Sequence, residues 1–147
     1  MEEHEDPREK EGQEMQEAFR EFQTIQQQME ALEEYTEEVS EEMADLDETL
    51  DAVEEIDDSE EGDEIFFPLG EGAFAKGEVT DTEEILVDLG ADTFSRRNLD
   101  DAKELLDERK EELEDTLERI QKQQEELQDR LQELRPKLQK LQQVMQG

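Results

Sequence analysis

The chain has 147 residues, 31% hydrophobic, 44% charged and 5% aromatic, with no Trp and a single Tyr, Tyr35. The length allows one domain, but so little apolar material cannot fill an ordinary globular core. It suits either disorder or long helices burying a narrow seam, and the regular apolar spacing selects helices. The formal net charge of −34 opposes compaction and speaks against nucleic acid as a partner, and the lack of cysteine removes disulfides, thiol chemistry and zinc clusters built on Cys.

Charge of this size, with only seven Lys, points to a salt-rich, halophilic host in which dense ions screen self-repulsion. A solvated acidic face in a low-salt organism is the plainer alternative. No apolar run reaches membrane-spanning length, and Met1-Glu2-Glu3-His4-Glu5-Asp6 lacks the basic start of a signal peptide, so the expected location is the cytoplasm.

Residues 1–10 are polar, aperiodic and contain Pro7, which predicts a disordered acidic tail. From Met15 an apolar seam runs in steps of four and three through Ala18, Phe22, Ile25, Met29, Leu32, Val39, Met43, Leu46, Leu50 and Val53, interrupted only at Thr36. That period predicts a coiled-coil helix over 11–57, about 70 Å long at the helical rise. The acidic run Asp57 to Asp63 contains Gly62 at the sixth place of a calcium loop. Pro68, however, stands where the bidentate Glu belongs, so a solvated turn is the reading.

Between residues 58 and 97 the heptad pattern stops. Ile65-Phe66-Phe67, Ala73-Phe74-Ala75, Ile85-Leu86-Val87 and Asp92-Thr93-Phe94-Ser95 are strand-length segments punctuated by Pro68, Gly70, Gly72, Gly77 and Gly90, which predicts two β-hairpins. Two hairpins bury too little surface to stand alone, so this region is expected to dock on other copies of such a sheet. Asn98 is a suitable N-cap, with Asp100 and Asp101 in the first turn of a second coiled-coil helix over 98–147. Its seam includes Leu99, Leu106, Leu113, Leu117, Ile120, Leu127, Leu131, Leu134, Leu138, Leu141 and Met145, with Gln124 as a polar break and a kink, or fraying of the final turns, expected from Pro136.

Equal helices flanking a compact strand region predict an antiparallel hairpin, α+β in class. The charges agree, because Arg20 is the only basic residue between Glu11 and Asp63, whereas Arg119, Lys122, Arg130, Arg135, Lys137 and Lys140 lie late in the chain. At the open end stand Met15, Phe19, Phe22, Leu138, Leu141, Val144 and Met145. They either complete the seam or form a soft, adaptable apolar surface. An enzyme is not indicated: the one histidine, His4, lies in the tail, no core could raise a carboxylate pKa, and Gly70-x-Gly72 opens no helix. No metal or cofactor is expected.

The stretch Phe67-Pro68-Leu69-Gly70-Glu71-Gly72-Ala73-Phe74-Ala75-Lys76-Gly77-Glu78-Val79, followed by Ile85-Leu86-Val87-Asp88-Leu89-Gly90-Ala91, resembles the α-type subunit of prefoldin. After Ala91 the chain departs from the family pattern, reading Asp92-Thr93-Phe94-Ser95-Arg96-Arg97. Arg96 and Arg97 are either solvent-exposed or paired with acidic residues of a neighbouring subunit. The resemblance implies an ATP-independent holdase: two α-type and four β-type subunits share a β-barrel body, and the coiled-coil tips hold unfolded clients and pass them to a group II chaperonin. By that carry-over Phe66, Phe67, Leu69, Phe74, Val79, Ile85, Val87 and Phe94 belong to the subunit interface and the open-end residues to client binding. A coiled-coil adaptor for one specific partner is the alternative, and an acidic mimic of nucleic acid a weaker third.

Overall fold

The computed structural model describes residues 7–146, and side chains as far as Val144. The elements run α1 (Pro7–Asp57), β1 (Glu64–Gly70), β2 (Ala73–Glu78), β3 (Glu84–Gly90), β4 (Thr93–Asn98) and α2 (Leu99–Gln146), giving two long helices joined by two antiparallel hairpins. Neither hairpin closes into a barrel within the chain. The expected acidic tail lies largely outside the described residues. Its last four residues belong to α1.

The chain divides into two compact units, one formed by the parts up to Val39 and from Asp115, the other by Ser40–Glu114. In the first, Ala18 and Ile25 of α1 pack with Leu131 and Leu134 of α2, flanked by Phe22, Met29, Leu127 and Leu138. The helices run antiparallel there, with Glu21 level with Arg130, and Leu32 and Tyr35 level with Gln123 and Leu127. Leu134 is the most deeply buried large side chain, so truncation to Ala costs about 2–5 kcal/mol. Helix α2 continues through Pro136, and the seam resumes at half-buried Leu138. Proline has no N–H to give, so the Gln132 carbonyl lacks its helical donor.

In the second unit Val53, Leu99 and Leu106 form the core, with Leu46, Leu50, Ile56 and the strand residue Ile85 against it. Ion pairs from Lys110 to Asp47 (2.7 Å) and from Lys103 to Asp57 (2.8 Å) give the same antiparallel sense. Helix α1 ends in a turn. The Ser59 hydroxyl donates to the Ile56 carbonyl at 2.7 Å, the Glu60 N–H donates to the Asp63 carboxylate at 2.8 Å, and Gly62 takes φ 93°. Helix α2 starts on the expected cap: the Asp101 N–H donates to Asn98 Oδ1 at 2.8 Å, and the Asn98 amide returns a bond to the Asp101 carboxylate at 3.1 Å.

The two hairpins are built to one plan, twenty residues apart. β1 pairs with β2 so that Phe67 opposes Ala75 and Pro68 opposes Phe74, and β3 pairs with β4 so that Val87 opposes Ser95 and Asp88 opposes Phe94. The register slips at Leu69 in one and Leu89 in the other. Each turn places three successive residues at positive φ, Gly70-Glu71-Gly72 and Gly90-Ala91-Asp92. Two-residue loops with both φ positive match the twist of paired strands, which is why the chain reverses here. The backbone ties recur as well: the Val79 N–H donates to the Asp63 carbonyl, and the Leu99 N–H to the Glu83 carbonyl.

Candidate functional site

Because side chains alternate along a strand, each hairpin has two faces. On one, Ile65, Ala75 and Gly77 of the first hairpin are half-buried, as are Ile85, Ser95 and Arg97 of the second, where Val87 is fully buried. The opposite faces carry Phe66 and Phe74 on the first hairpin, 69% and 61% exposed, and Leu86 and Phe94 on the second, 62% and 56% exposed. Leu69 and Leu89 at the bulges are exposed too. Two-stranded sheets with aromatic outer faces leave far more apolar surface in water than hairpins tolerate alone.

The eight strand-region residues singled out in the sequence therefore separate. Phe66, Phe67, Leu69, Phe74 and Phe94 present exposed apolar surface. Val79 and Val87 are buried, and half-buried Ile85 packs on the helical core. The internal repeat identifies two positions that sequence reasoning passed over: Leu86 corresponds to Phe66, and Leu89 to Leu69.

Around the first hairpin's inner face, an ideal Cβ built on Gly77 lies within 3 Å of the Phe67 ring. A side chain at this position displaces the ring, which favours glycine. The second hairpin has Val87 and Arg97 at the matching diagonal positions, the smaller side chain now on the first strand and the larger on the second. Its orientation is fixed by Arg109, whose guanidinium donates to the Asp88 carbonyl at 2.7 Å. On the outer faces Lys76 pairs with Glu64 at 2.8 Å, whereas Arg96 is exposed without an ion pair to any described residue. Arg97 donates to the Ser95 hydroxyl at 3.2 Å.

The second candidate surface is the open end of the paired helices. Leu141 is buried, and Met15, Phe22 and Leu138 are half-buried. Phe22 and Leu138 pack on the seam cluster. Phe19 and Val144 are about half exposed, and the Met145 side chain lies outside the described residues. Met15 and Phe19 line a shallow groove of about 780 Å³ along α1, with Gly12 and Arg20 on its walls. A further groove of about 550 Å³ runs past Leu32, Tyr35 and Leu127.

Ion pairs between the helices hold these positions. Arg130 grips both carboxylate oxygens of Glu21, one bond measuring 3.0 Å, and also reaches Glu133 at 2.9 Å. Those bonds hold the Glu21 carboxyl below its ordinary range, with Lys137 helping through space and partial desolvation opposing, and they raise Arg130. Lys103 and Lys110 are raised by their bonds to Asp57 and Asp47. Every pair has a side chain open to solvent, so the pairs set direction and register more than they add stability. Among the described residues no group of three or more His, Cys, Asp or Glu side chains could hold a metal, and no helix is long and apolar enough to cross a membrane.

Residues 25–144 match the prefoldin family, described as a prefoldin subunit. A prefoldin subunit alpha from Methanopyrus kandleri is 36% identical over 67 residues, 46% of this chain and 41% of that protein. One from Halorubrum lacusprofundi is 34% identical over 68 residues, 46% and 43% of the two chains, and one from Methanococcus aeolicus is 28% identical over 88 residues, 60% and 59%. The matched part thus spans less than two thirds of each of these relatives. Among solved structures, a filamentous PFD from Methanocaldococcus jannaschii shares the fold with a TM-score of 0.70, covering 78% of this chain and 95% of that one at 16% identity.

Proposed function

The chain belongs to the prefoldin family, and on that premise we propose that it is an α-type subunit of an ATP-independent chaperone. The observation that carries the reading is the outer face of the hairpins. Phe66, Phe74 and Phe94, with Leu86, remain more than half exposed on strands too few to be stable in water by themselves. Covering those faces with strands of neighbouring subunits removes the apolar surface and the open sheet edges together, which a shared β-barrel body does. In this reading two such chains join four β-type subunits.

Capture of unfolded clients takes place at the open ends of the coiled coils, through Met15, Phe19, Phe22, Leu138, Leu141, Val144 and Met145. Each end offers a weak, adaptable apolar contact, and several ends around one cavity raise the avidity without nucleotide. Delivery to a group II chaperonin completes the cycle. The net charge of −34 keeps loaded complexes soluble and suits the cytoplasm of a halophile.

The test is solution mass in molar KCl, for the chain alone and mixed with a β-type prefoldin subunit of the same genome. A heterohexamer forming only in the mixture, lost with Phe66→Ser, Phe74→Ser and Phe94→Ser together, supports the proposal. A stable dimer indifferent to the β-type chain refutes it and favours an adaptor for one helical partner.

A further inference from the structure

Charge is unevenly spread along this sequence, and the stretch from Leu134 to Gly147, with three cations and no Asp or Glu, lies beside exposed apolar side chains. After Glu133 no Asp or Glu follows, a longer carboxylate-free run than any other in the sequence. All 49 carboxylates precede it, together with 12 of the 15 cations. Within the run Arg135, Lys137 and Lys140 are exposed, and none forms an ion pair with a described residue. Lys137 comes near Glu21, but both oxygens of that carboxylate are taken by Arg130. Packing of Leu134 and Leu138 on the Ala18 cluster sets the run beside the early turns of α1, where Met15 is half-buried and Phe19 is 50% exposed. Val144, 49% exposed, lies in the same run. The neighbouring early turns of α1 carry Glu9, Glu11, Glu14 and Glu17 beside Arg8, Lys10 and Arg20, and four more carboxylates come ahead of Pro7, so the cationic surface is that of α2 from Leu134 onward rather than of the end as a whole.

We propose that this surface binds unfolded polypeptides that are themselves acidic, seating their apolar side chains on Met15, Phe19 and Val144 and their carboxylates on Arg135, Lys137 and Lys140. The inference rests on the capture of clients at the coiled-coil ends and names the class of client. An acidic chain approaching α1 between Glu30 and Asp63 meets a stretch with no cation of its own, where Lys103 and Lys110 are already taken up by Asp57 and Asp47, whereas here it meets three cations in no ion pair with a described residue. In molar salt the screening length falls to about 3 Å, so the long-range repulsion of so acidic a protein vanishes while contact pairs persist. Apolar contact then supplies the attraction and the three cations the discrimination, and terminal α2 is where the chain departs from its acidic composition.

The experiment uses the full chain in molar KCl and two unstructured synthetic peptides with identical apolar residues, one with Glu and one with Lys at the spacer positions, followed by fluorescence anisotropy. The Glu peptide is expected to bind roughly threefold or more tightly, as three small exposed pairs allow. Arg135→Glu with Lys137→Glu and Lys140→Glu inverts the preference while helicity by circular dichroism is unchanged, and Phe19→Ser weakens both peptides alike. Equal binding of the two peptides, or a preference that survives charge reversal, overturns the inference and leaves client capture standing. Binding of neither peptide refutes capture at this end and the inference with it. Preferential binding of anionic lipid vesicles over the Glu peptide reassigns the surface to a membrane.

Discussion

Replacing Gly77 with Ala tests how the first hairpin is packed. The new Cβ lies 2.4 Å from Phe67 Cε2 and 2.9 Å from Cδ2, too close for both to stay. The ring cannot bend away as a flexible side-chain end would, so it swings outward, and part of the covered portion of a side chain now 40% exposed enters water. Overpacking of this kind costs about 1–3 kcal/mol, against about 0.5–1 kcal/mol recovered from the lower chain entropy of unfolded Ala. The expected net loss is about 1–2 kcal/mol. Phe67→Val removes the obstacle and recreates the Val87 arrangement of the second hairpin, so Gly77→Ala should be almost free in that background, a coupling of about 1 kcal/mol or more. Helical signal would hide a local effect. The measurement is therefore amide hydrogen exchange across Glu64–Glu78 in the wild type, both single variants and the double variant. If Gly77→Ala weakens protection equally with Phe and with Val at position 67, the ring is not the obstacle and the packing argument fails.

The cap on α2 should be measurable in the same way. Asn98→Ala removes both bonds of the reciprocal pair with Asp101 and should cost about 1 kcal/mol, seen as faster exchange in the first turn of α2 and a lower urea midpoint. The bond from Arg130 lowers Glu21, so its stabilisation is complete above the ordinary carboxylate value of 4.5 and is lost as pH falls through the lower folded value. The stability difference between wild type and Glu21→Gln should be constant above that range and shrink below it in thermal unfolding at molar KCl. A difference that grows on acidification contradicts the pairing. Self-repulsion at −34 predicts a thermal midpoint that climbs between about 0.1 and 1 M KCl as the screening length falls.

Much of the architecture was legible because helices and turns obey local rules. The four-three seam announced both helices, Asn98 and Asp101 announced the start of α2, and Gly62 marked the break after α1. The hairpins were found from their glycines. Their common plan was missed because the repeat from Glu64 to Val79 and from Glu84 to Leu99 conserves pattern and turn geometry more than residue type, pairing Pro68 with Asp88 and Gly77 with Arg97. Which strand residues remain exposed was not readable either. Val79, Val87 and Ile85 look as apolar in sequence as Phe66 and Phe74, and only alternation measured against a fixed register separates the faces.

The elements, their order, the antiparallel charge logic and the excess of acid that frames every interaction of this chain follow from spacing and composition within single elements. Which apolar groups are already covered, and which await a partner, emerges from the folded arrangement. It matched Glu21 to Arg130, Asp47 to Lys110 and Asp57 to Lys103, turned Ile85 inward and Phe66 outward, and left Arg135, Lys137 and Lys140 with no ion pair to a described residue. The physical reason is that burial and pairing are properties of two surfaces meeting, and the register of that meeting comes from contacts far apart in the chain.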